Sequence, residues 1–213
     1  MNTRTEYYLL LIDVRGSTAL DPGDMRRLVR RVEAEIRRIN QAFRPRPVLG
    51  LAMSYGDEVA GLFTTPTELF EAAKAVRGAV HPLATIRFVV TRGRIALASK
   101  DIRKIGGEVF KKANEHMNRI KRTGSFCRWV LGSGALDSAL TSLCMMSNTL
   151  LEDMTSYQRE VFIHLERGTP QKEIARKLQK HPQSISDAVK RSKAILVLDA
   201  HRAINGILEN VNQ

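Results

Sequence analysis

The sequence predicts an α+β domain followed by an all-α domain, and three observations support that fold class. In the first part of the chain, short apolar segments alternate with segments whose apolar residues recur at helical spacing. After residue 134 the helical spacing continues alone. Between the two parts lies Gly132-Ser133-Gly134, which is typical of a joint. We therefore expect domains at residues 1–134 and 135–213, the first with a mixed, mostly antiparallel sheet covered by helices on one face.

The first two elements are a strand and a long helix. Residues 7–12 (YYLLLI) are wholly apolar, which predicts a strand buried on both faces that ends before the polar segment DVRGST. Asp21 and Pro22 predict the start of a helix, as N-cap and first-turn residue. Apolar residues then recur at helical spacing: Met25, Leu28, Val29, Val32, Ile36, Ile39 and Phe43. This periodicity predicts a helix with one buried face.

A hairpin and a second helix follow. In LGLAMSYGDEVAGLF two apolar segments flank the tetrapeptide that starts at Tyr55, which predicts a hairpin with a tight tip. The pattern TPTE from Thr65 is a capping box and predicts a helix to about Val80. The rest of the first domain should comprise a strand at residues 86–95, a helix that ends near Gly124, and a strand at residues 126–131.

Composition and charge limit the class of partner. The 213 residues include 34 Lys and Arg against 22 Asp and Glu, which leaves a net charge of +12. Such a charge attracts polyanions, so nucleic acid is the first candidate, with an anionic membrane surface or ribosomal RNA as alternatives. Cys127 and Cys144 have no zinc or redox spacing, and no segment has the length of a membrane span or the flanks of a signal peptide. We expect a soluble, cytoplasmic protein.

Arginines crowd the polar side of the first predicted helix. They are Arg26, Arg27, Arg30, Arg31, Arg37 and Arg38. The pattern is typical of a solvated helix face, and a nucleic-acid surface is the alternative.

The C-terminal part has the pattern of a helix-turn-helix. Thr155 to Gln158 form a capping box, and Gly168 suits the left-handed end of the helix that this box starts. Lys180 and His181 provide the turn between two further helices. The predicted inward-facing residues of the three helices are Val161, Phe162, Leu165, Ile174, Ala175, Leu178, Ile185, Ala188 and Val189. Ala175 matters because helices that cross closely leave no space for a larger side chain.

The exposed side of the last of these helices should contact double-stranded DNA. Polar residues at its start would meet base edges in the major groove, and nearby cations would meet phosphates. The predicted DNA-binding residues are Lys172, Lys180, His181, Gln183, Ser184, Ser186, Asp187, Lys190 and Arg191. A three-helix protein-docking module is the alternative interpretation.

The segment MTSYQREVFIHLERGTPQKEIARKLQKHPQSISDAVKRSKA resembles region 4 of sigma-70 factors and related regulator domains. The resemblance implies DNA binding. One departure is Gln179, where the turn often has glycine. Apolar residues from Leu196 to Val211 predict a further helix that could serve as a dimer contact, and we expect a homodimer.

Two aspartates suggest a metal site in the first domain. Asp13 follows the buried strand, and Asp57 lies at the predicted hairpin tip. If the two strands are neighbours, both carboxylates meet at one edge of the sheet, where they would suit Mg²⁺ or Mn²⁺ with a nucleotide. The backbone of Val14, Arg15, Gly16, Ser17 and Thr18 would hold the nucleotide phosphates. The alternative interpretation is that Asp13 is a turn residue and that Asp57 lies in an ordinary hairpin tip.

Four motifs carry a resemblance to the SatD family of bacterial proteins and, more distantly, to class III nucleotidyl cyclases. They are IDVRGST, YGDEVAGLF, IRFVVTRGRI and GGEVFKKA. The hairpin also resembles the GGDEF signature of diguanylate cyclases. The resemblance implies a ferredoxin-like core, with Asp13 and Asp57 at the positions of two metal-binding aspartates.

Other cyclase positions differ in this chain. Met53 replaces a base-selecting Lys, and Phe110 and Asn114 replace the Asn and Arg that act on the ribose and on the transition-state phosphates. A neutral Asn gives no charge-assisted stabilisation to a developing phosphate charge. We therefore predict a DNA-binding transcriptional regulator whose cyclase-like domain has lost catalysis and senses a nucleotide or dimerises. The alternative is a metal-dependent nucleotidyl cyclase or phosphotransferase with a regulatory DNA-binding domain.

Overall fold

The computed structural model describes residues 1–43, 47–54 and 56–211, and in that part of the chain it has five strands and eight α-helices. The strands are β1 (Glu6–Arg15), β2 (Pro47–Met53), β3 (Glu58–Phe63), β4 (Thr85–Arg94) and β5 (Cys127–Val130). The helices are α1 (Pro22–Ala42), α2 (Leu69–Val80), α3 (Glu108–Thr123), α4 (Gly134–Glu152), α5 (Ser156–Glu166), α6 (Gln171–Lys177), α7 (Pro182–Arg191) and α8 (Ala194–Asn210). The predicted α+β class is confirmed, and Tyr55 of the predicted hairpin tip lies outside the described residues.

The strands form one sheet in the order β2-β3-β1-β4-β5. Neighbouring strands are antiparallel except β4 and β5, which are parallel, so the predicted mixed and mostly antiparallel sheet is confirmed. The central strand is β1, whose Leu10 lies opposite Gly61 of β3 and Val90 of β4.

Helices cover both faces of this sheet, so the prediction of helices on one face is wrong. On one face Leu9 and Leu11 of β1 pack with Val109 and Met117 of α3. The alternate residues of β1, such as Leu10, are equally buried on the opposite face, where α1 and α2 pack against the sheet and each other. The physical reason is that a strand with apolar side chains on both faces needs an apolar layer on each side.

Two boundaries differ from the sequence predictions by more than one residue. The first strand does not end at residue 12 but continues to Arg15, because the residues from Asp13 onward pair with β4. The second helix begins at Leu69 and not in the TPTE pattern; there the Thr65 hydroxyl donates to Oε2 of Glu68 at 3.3 Å. Pairing across the sheet therefore decided where the polar segment after residue 12 belongs.

The predicted start of α1 and end of α3 are confirmed. The Asp21 carboxylate accepts hydrogen bonds from the amides of Gly23 at 2.7 Å and Asp24 at 2.9 Å, which makes Asp21 the N-cap. At the other end of the domain Gly124 follows α3 with φ = 70°, the left-handed conformation that glycine adopts without steric cost.

The chain divides into two compact units. The first comprises Met1–Thr141 with a C-terminal segment that begins at Ile207, and the second comprises Ser142–Gly206. The predicted domain division at residue 134 stays a prediction. Every predicted inward-facing residue of α5, α6 and α7 is buried or half-buried in the core of the second unit.

Among the described residues, none of the helices combines the length and the hydropathy that crossing a bilayer requires.

Candidate functional site

A group of charged side chains lies across β1, β3 and β4 in the first unit. Asp13 of β1 is in register with Glu58 of β3 and with Arg87 of β4. Residues opposite each other on antiparallel strands place their side chains on the same face. Lys121 joins them from the last turn of α3, and Asp57 immediately precedes β3. We call Asp13, Asp57, Glu58, Arg87 and Lys121 the Asp13 cluster.

Both carboxylate oxygens of Asp13 are in ion pairs. Lys121 Nζ lies 2.5 Å from Oδ1, and Arg87 Nε lies 3.1 Å from Oδ2. Lys121 Nζ is also 3.9 Å from Oε1 of Glu58. Because Asp13 is only 7% exposed, its charge depends on these two cations for stabilisation.

Asp57 is held by the segment that follows β1. The Ser17 hydroxyl donates to Oδ2 of Asp57 and also lies 3.3 Å from the carbonyl oxygen of Val14. Ser17 is buried, so this contact fixes the hairpin tip against the end of β1. The structure thus brings Asp13 and Asp57 to the same part of the sheet.

The pKa of Glu58 is affected by the other charged groups of the Asp13 cluster. Burial raises the pKa of Glu58 above its ordinary value of 4.5, and the negative charges of Asp13 and Asp57 raise it further. The charge of Lys121 opposes this and lowers the pKa, but the net direction is upward. The pKa of Glu58 therefore depends on the charges of both aspartates.

The predicted phosphate-binding residues have mixed positions. Val14 and Arg15 belong to β1, and Val14 is buried. Gly16 has φ = 90°, and a Cβ added there would meet no atom within 4 Å. Glycine is therefore favoured at this position by the backbone conformation and not by lack of space. Ser17 and exposed Thr18 lie in a 3₁₀ turn (Ser17–Ala19). Phosphate binding by this segment stays a prediction.

The described side chains do not fit a resident divalent cation. Both oxygens of Asp13 are engaged by cationic groups, and one oxygen of Asp57 accepts the Ser17 hydroxyl. Within residues 1–43, 47–54 and 56–211, no three His, Cys, Asp or Glu side chains are grouped so that they could hold a metal ion. An ion bound by Asp13 would have to displace Lys121 or Arg87.

The residues at the three other cyclase positions have structural surroundings of their own. Met53 ends β2 opposite Val59, and Phe110 packs half-buried against the core beneath α3. Asn114 is exposed on α3.

The exposed side of α7 is the second candidate site. All nine predicted DNA-binding residues, from Lys172 to Arg191, are exposed. His181 is the N-cap of α7, and its Nδ1 accepts the amide of Gln183 at 3.3 Å. The side-chain amide of Gln183 donates to Oδ1 of Asp187 at 3.0 Å, so Gln183 would give up this bond to contact a base.

The turn before α7 explains the departure at Gln179. Gln179 has φ = 52°, the left-handed conformation that glycine favours. The amide of Lys180 donates to the carbonyl of Ala175 at 2.9 Å, and that of Gln179 to Arg176 at 3.3 Å. This is the hydrogen-bond pattern of a Schellman motif. The chain therefore forms the glycine-type turn with a glutamine.

Sequence reasoning missed three members of the Asp13 cluster: Glu58, Arg87 and Lys121. Alternation along β1 and β4 could have indicated Arg87 once the register was known. Lys121 had no such signal, because a lysine near the end of an amphipathic helix is ordinarily solvated.

No protein-family model matches the sequence, and no curated protein matches it. Among solved structures, a bacterial light-regulated adenylyl cyclase is similar with a TM-score of 0.45 and 14% identity, over 59% of this chain and 43% of that one. The diguanylate cyclase SiaD from Pseudomonas aeruginosa, solved with its activator SiaC, is similar with a TM-score of 0.41 and 20% identity, over 60% and 50%.

A third similar structure is the dimeric guanylyl cyclase domain of the RhoGC fusion protein from Blastocladiella emersonii. Its TM-score is 0.35 and its identity 14%, over 52% of this chain and 71% of that domain. The chain thus spans half or less of the length of the two larger cyclases. At these TM-scores and identities the similarities assign no activity to this chain.

Proposed function

We propose that the protein is a DNA-binding transcriptional regulator in which α7 enters the major groove. The observation that carries this proposal is the exposed polar start of α7, where Gln183, Ser184 and Ser186 stand clear of the core. Such side chains can hydrogen-bond base edges, and Lys190 and Arg191 on the same helix can neutralise phosphates.

The packing beneath α7 supports the same role. Ile185, Ala188 and Val189 bury the inner side of α7 in a core that also includes Ile174 and Ala175 of α6. A recognition helix needs such support, since loss of its orientation would move every base-contacting side chain.

DNA titration of the full-length protein tests this function. Duplex fragments enriched from a randomised pool serve as ligand, and fluorescence anisotropy gives the affinity at 50 and 200 mM salt. Lys190→Ala with Arg191→Ala should reduce the salt slope by about 1.8, at ~0.9 per phosphate contact. Arg167→Ala with Arg202→Ala removes the same charge from two exposed positions, one directly after α5 and one on α8, and should leave the affinity within twofold. No DNA binding by the parent protein at 50 mM salt would refute the proposal.

The first unit would then act as a nucleotide-sensing or dimerising domain, and the regulator would be a homodimer on paired half-sites. Sedimentation equilibrium with and without each nucleoside triphosphate checks both statements. A monomer that binds no nucleotide would remove this part of the proposal and leave DNA binding by α7 intact.

One observation favours a second candidate function, a metal-dependent nucleotidyl cyclase or phosphotransferase. Asp13 and Asp57 lie at one part of the sheet, although a metal ion there would have to displace Lys121 or Arg87 from Asp13. Incubation with each nucleoside triphosphate and Mg²⁺ or Mn²⁺, followed by chromatography, tests it. A product that disappears in Asp13→Asn would favour the enzyme, whereas no product with any nucleotide would exclude it.

A further inference from the structure

Helix α1 carries six arginines and no lysine, and the structure separates them into two sets. Three contact either a carboxylate or a backbone carbonyl outside α1. Arg27 pairs with Asp24 at 3.4 Å, Arg38 pairs with Glu35 at 2.5 Å, and Arg31 donates to the carbonyl oxygen of His81 at 2.7 Å.

The other three arginines, Arg26, Arg30 and Arg37, form what we call the arginine row. All three are exposed, and none is in an ion pair with a carboxylate that the structure describes. Arg30 Nε donates to the carbonyl oxygen of Arg26 at 3.3 Å, within the helix. At about 100° per residue they fall within about 40° of one another around the helix, and they span roughly 16 Å along it. Glu33 borders the row and is itself exposed. Three positive charges therefore face solvent in one line.

The surroundings of the arginine row limit what can bind there. The exposed residues beside it are small or polar: Gly23, Ala34 and Gln41. A protein partner ordinarily requires an apolar centre in its interface, and this face has none. The large apolar residues of α1 are buried, such as Leu28 and Val32, or half-buried, such as Val29, so α1 has no exposed apolar face to insert into a lipid surface. A polyanion that needs no apolar contact suits this face best.

The distribution of charge along the chain points to the same ligand. The second unit, with α7, has ten Lys and Arg against seven Asp and Glu. The remainder of the chain has 24 against 15, so most of the net charge of +12 lies outside the second unit. The first unit therefore has a larger positive excess than the unit that contains α7, and such a charge attracts polyanions.

We propose that the arginine row binds the phosphodiester backbone of double-stranded DNA, as a sequence-independent contact separate from α7. Guanidinium groups bind phosphate oxygens in a bidentate manner, which the exclusive use of arginine on α1 favours. This inference goes beyond the proposed function because it adds a second DNA surface, in the first unit.

The test uses the full-length protein and a random-sequence duplex. Arg26→Ala, Arg30→Ala and Arg37→Ala are combined in one variant, which should fold because alanine is the best helix former. Lys111→Ala, Arg119→Ala and Arg122→Ala form the matched control: they remove three exposed positive charges from α3, on the opposite face of the sheet. Anisotropy at 50 to 200 mM salt gives the salt slope, and circular dichroism verifies folding.

The arginine-row variant should lose about 2.7 from the log-log salt slope, at ~0.9 per phosphate, and at least tenfold in affinity at 50 mM salt. The control should change the affinity less than threefold. An equal loss in both variants would mean that net charge alone matters, and no loss in the first would mean that the row does not touch DNA; either result overturns the inference. Stronger loss of binding to anionic phosphatidylglycerol vesicles than to DNA would overturn it in favour of a membrane.

Failure here is distinguishable from failure of the proposed function. If Lys190→Ala with Arg191→Ala weakens binding and the arginine-row variant does not, the proposed function stands and the inference is wrong. The reverse result supports the arginine row and contradicts DNA binding by α7.

Discussion

Lys121 Nζ, in the last turn of α3, lies 2.5 Å from Oδ1 of Asp13, near the end of β1. Arg87 of β4 holds the other oxygen of the same carboxylate. The ion pair links a helix to the central strand at a position where the carboxylate is almost fully buried. Replacement of Lys121 would therefore leave a buried charge with one cation instead of two.

Lys121→Met should lower the free energy of unfolding by about 1–2 kcal/mol, between the values typical of exposed and of buried ion pairs, because Lys121 is partly exposed. Urea denaturation measures the change. Arg122→Met, at the exposed neighbouring position, should change stability by less than about 0.5 kcal/mol. Equal effects of the two substitutions would show that the ion pair with Asp13 contributes nothing.

Glu58→Gln should stabilise the protein at pH 7, and the gain should vanish in acid. The pKa of Glu58 is raised by burial and by Asp13 and Asp57, so its ionised form costs free energy in the folded state. That cost is fully present above the raised pKa and is lost as pH falls to the unfolded value of about 4.5, below which both states are protonated. Urea midpoints at pH 7 and pH 4 measure the difference. A gain that persists unchanged at pH 4 would contradict the electrostatic origin.

Gln179→Gly should raise the free energy of unfolding by about 0.5–1 kcal/mol. A non-glycine residue in the left-handed conformation costs about 1 kcal/mol or more, and the greater flexibility of glycine in the unfolded chain offsets part of the gain from removing that cost. Gly168→Ala is the converse change at φ = 76°, and it should cost about 1 kcal/mol. Thermal melts monitored by circular dichroism measure both. Gln179→Ala keeps the strain and should give no gain; if it stabilises as much as Gly, the backbone conformation is not the cause.

Ala175→Leu should destabilise the second unit by about 1–3 kcal/mol, because Ala175 is buried in its core and the added side chain would force neighbouring residues apart. Ala203→Leu, at an exposed position of α8, is the matched control and should stay within about 0.5 kcal/mol. Chemical denaturation compares the two. Tolerance of leucine at position 175 would mean that α6 and α7 are not closely packed there.

Local signals in the sequence predicted the elements well. Asp21 as N-cap and Gly124 and Gly168 as helix ends were predicted correctly, because capping depends on residues within one helical turn. The buried faces of α1, α3 and α7 followed from apolar spacing for a similar reason: periodicity is a property of consecutive residues.

The sequence by itself determined the order of elements, the N-cap of α1 and the apolar faces of the helices, and it singled out Asp13, Asp57 and the polar start of α7. Only the tertiary structure decided that helices cover both sides of the sheet, that Lys121 and Arg87 hold Asp13, and that four of the six arginines of α1 lack an acidic partner among the described residues. These features depend on which residues meet across strands and helices distant in sequence. Strand register and helix packing determine these contacts, and no local sequence pattern encodes them.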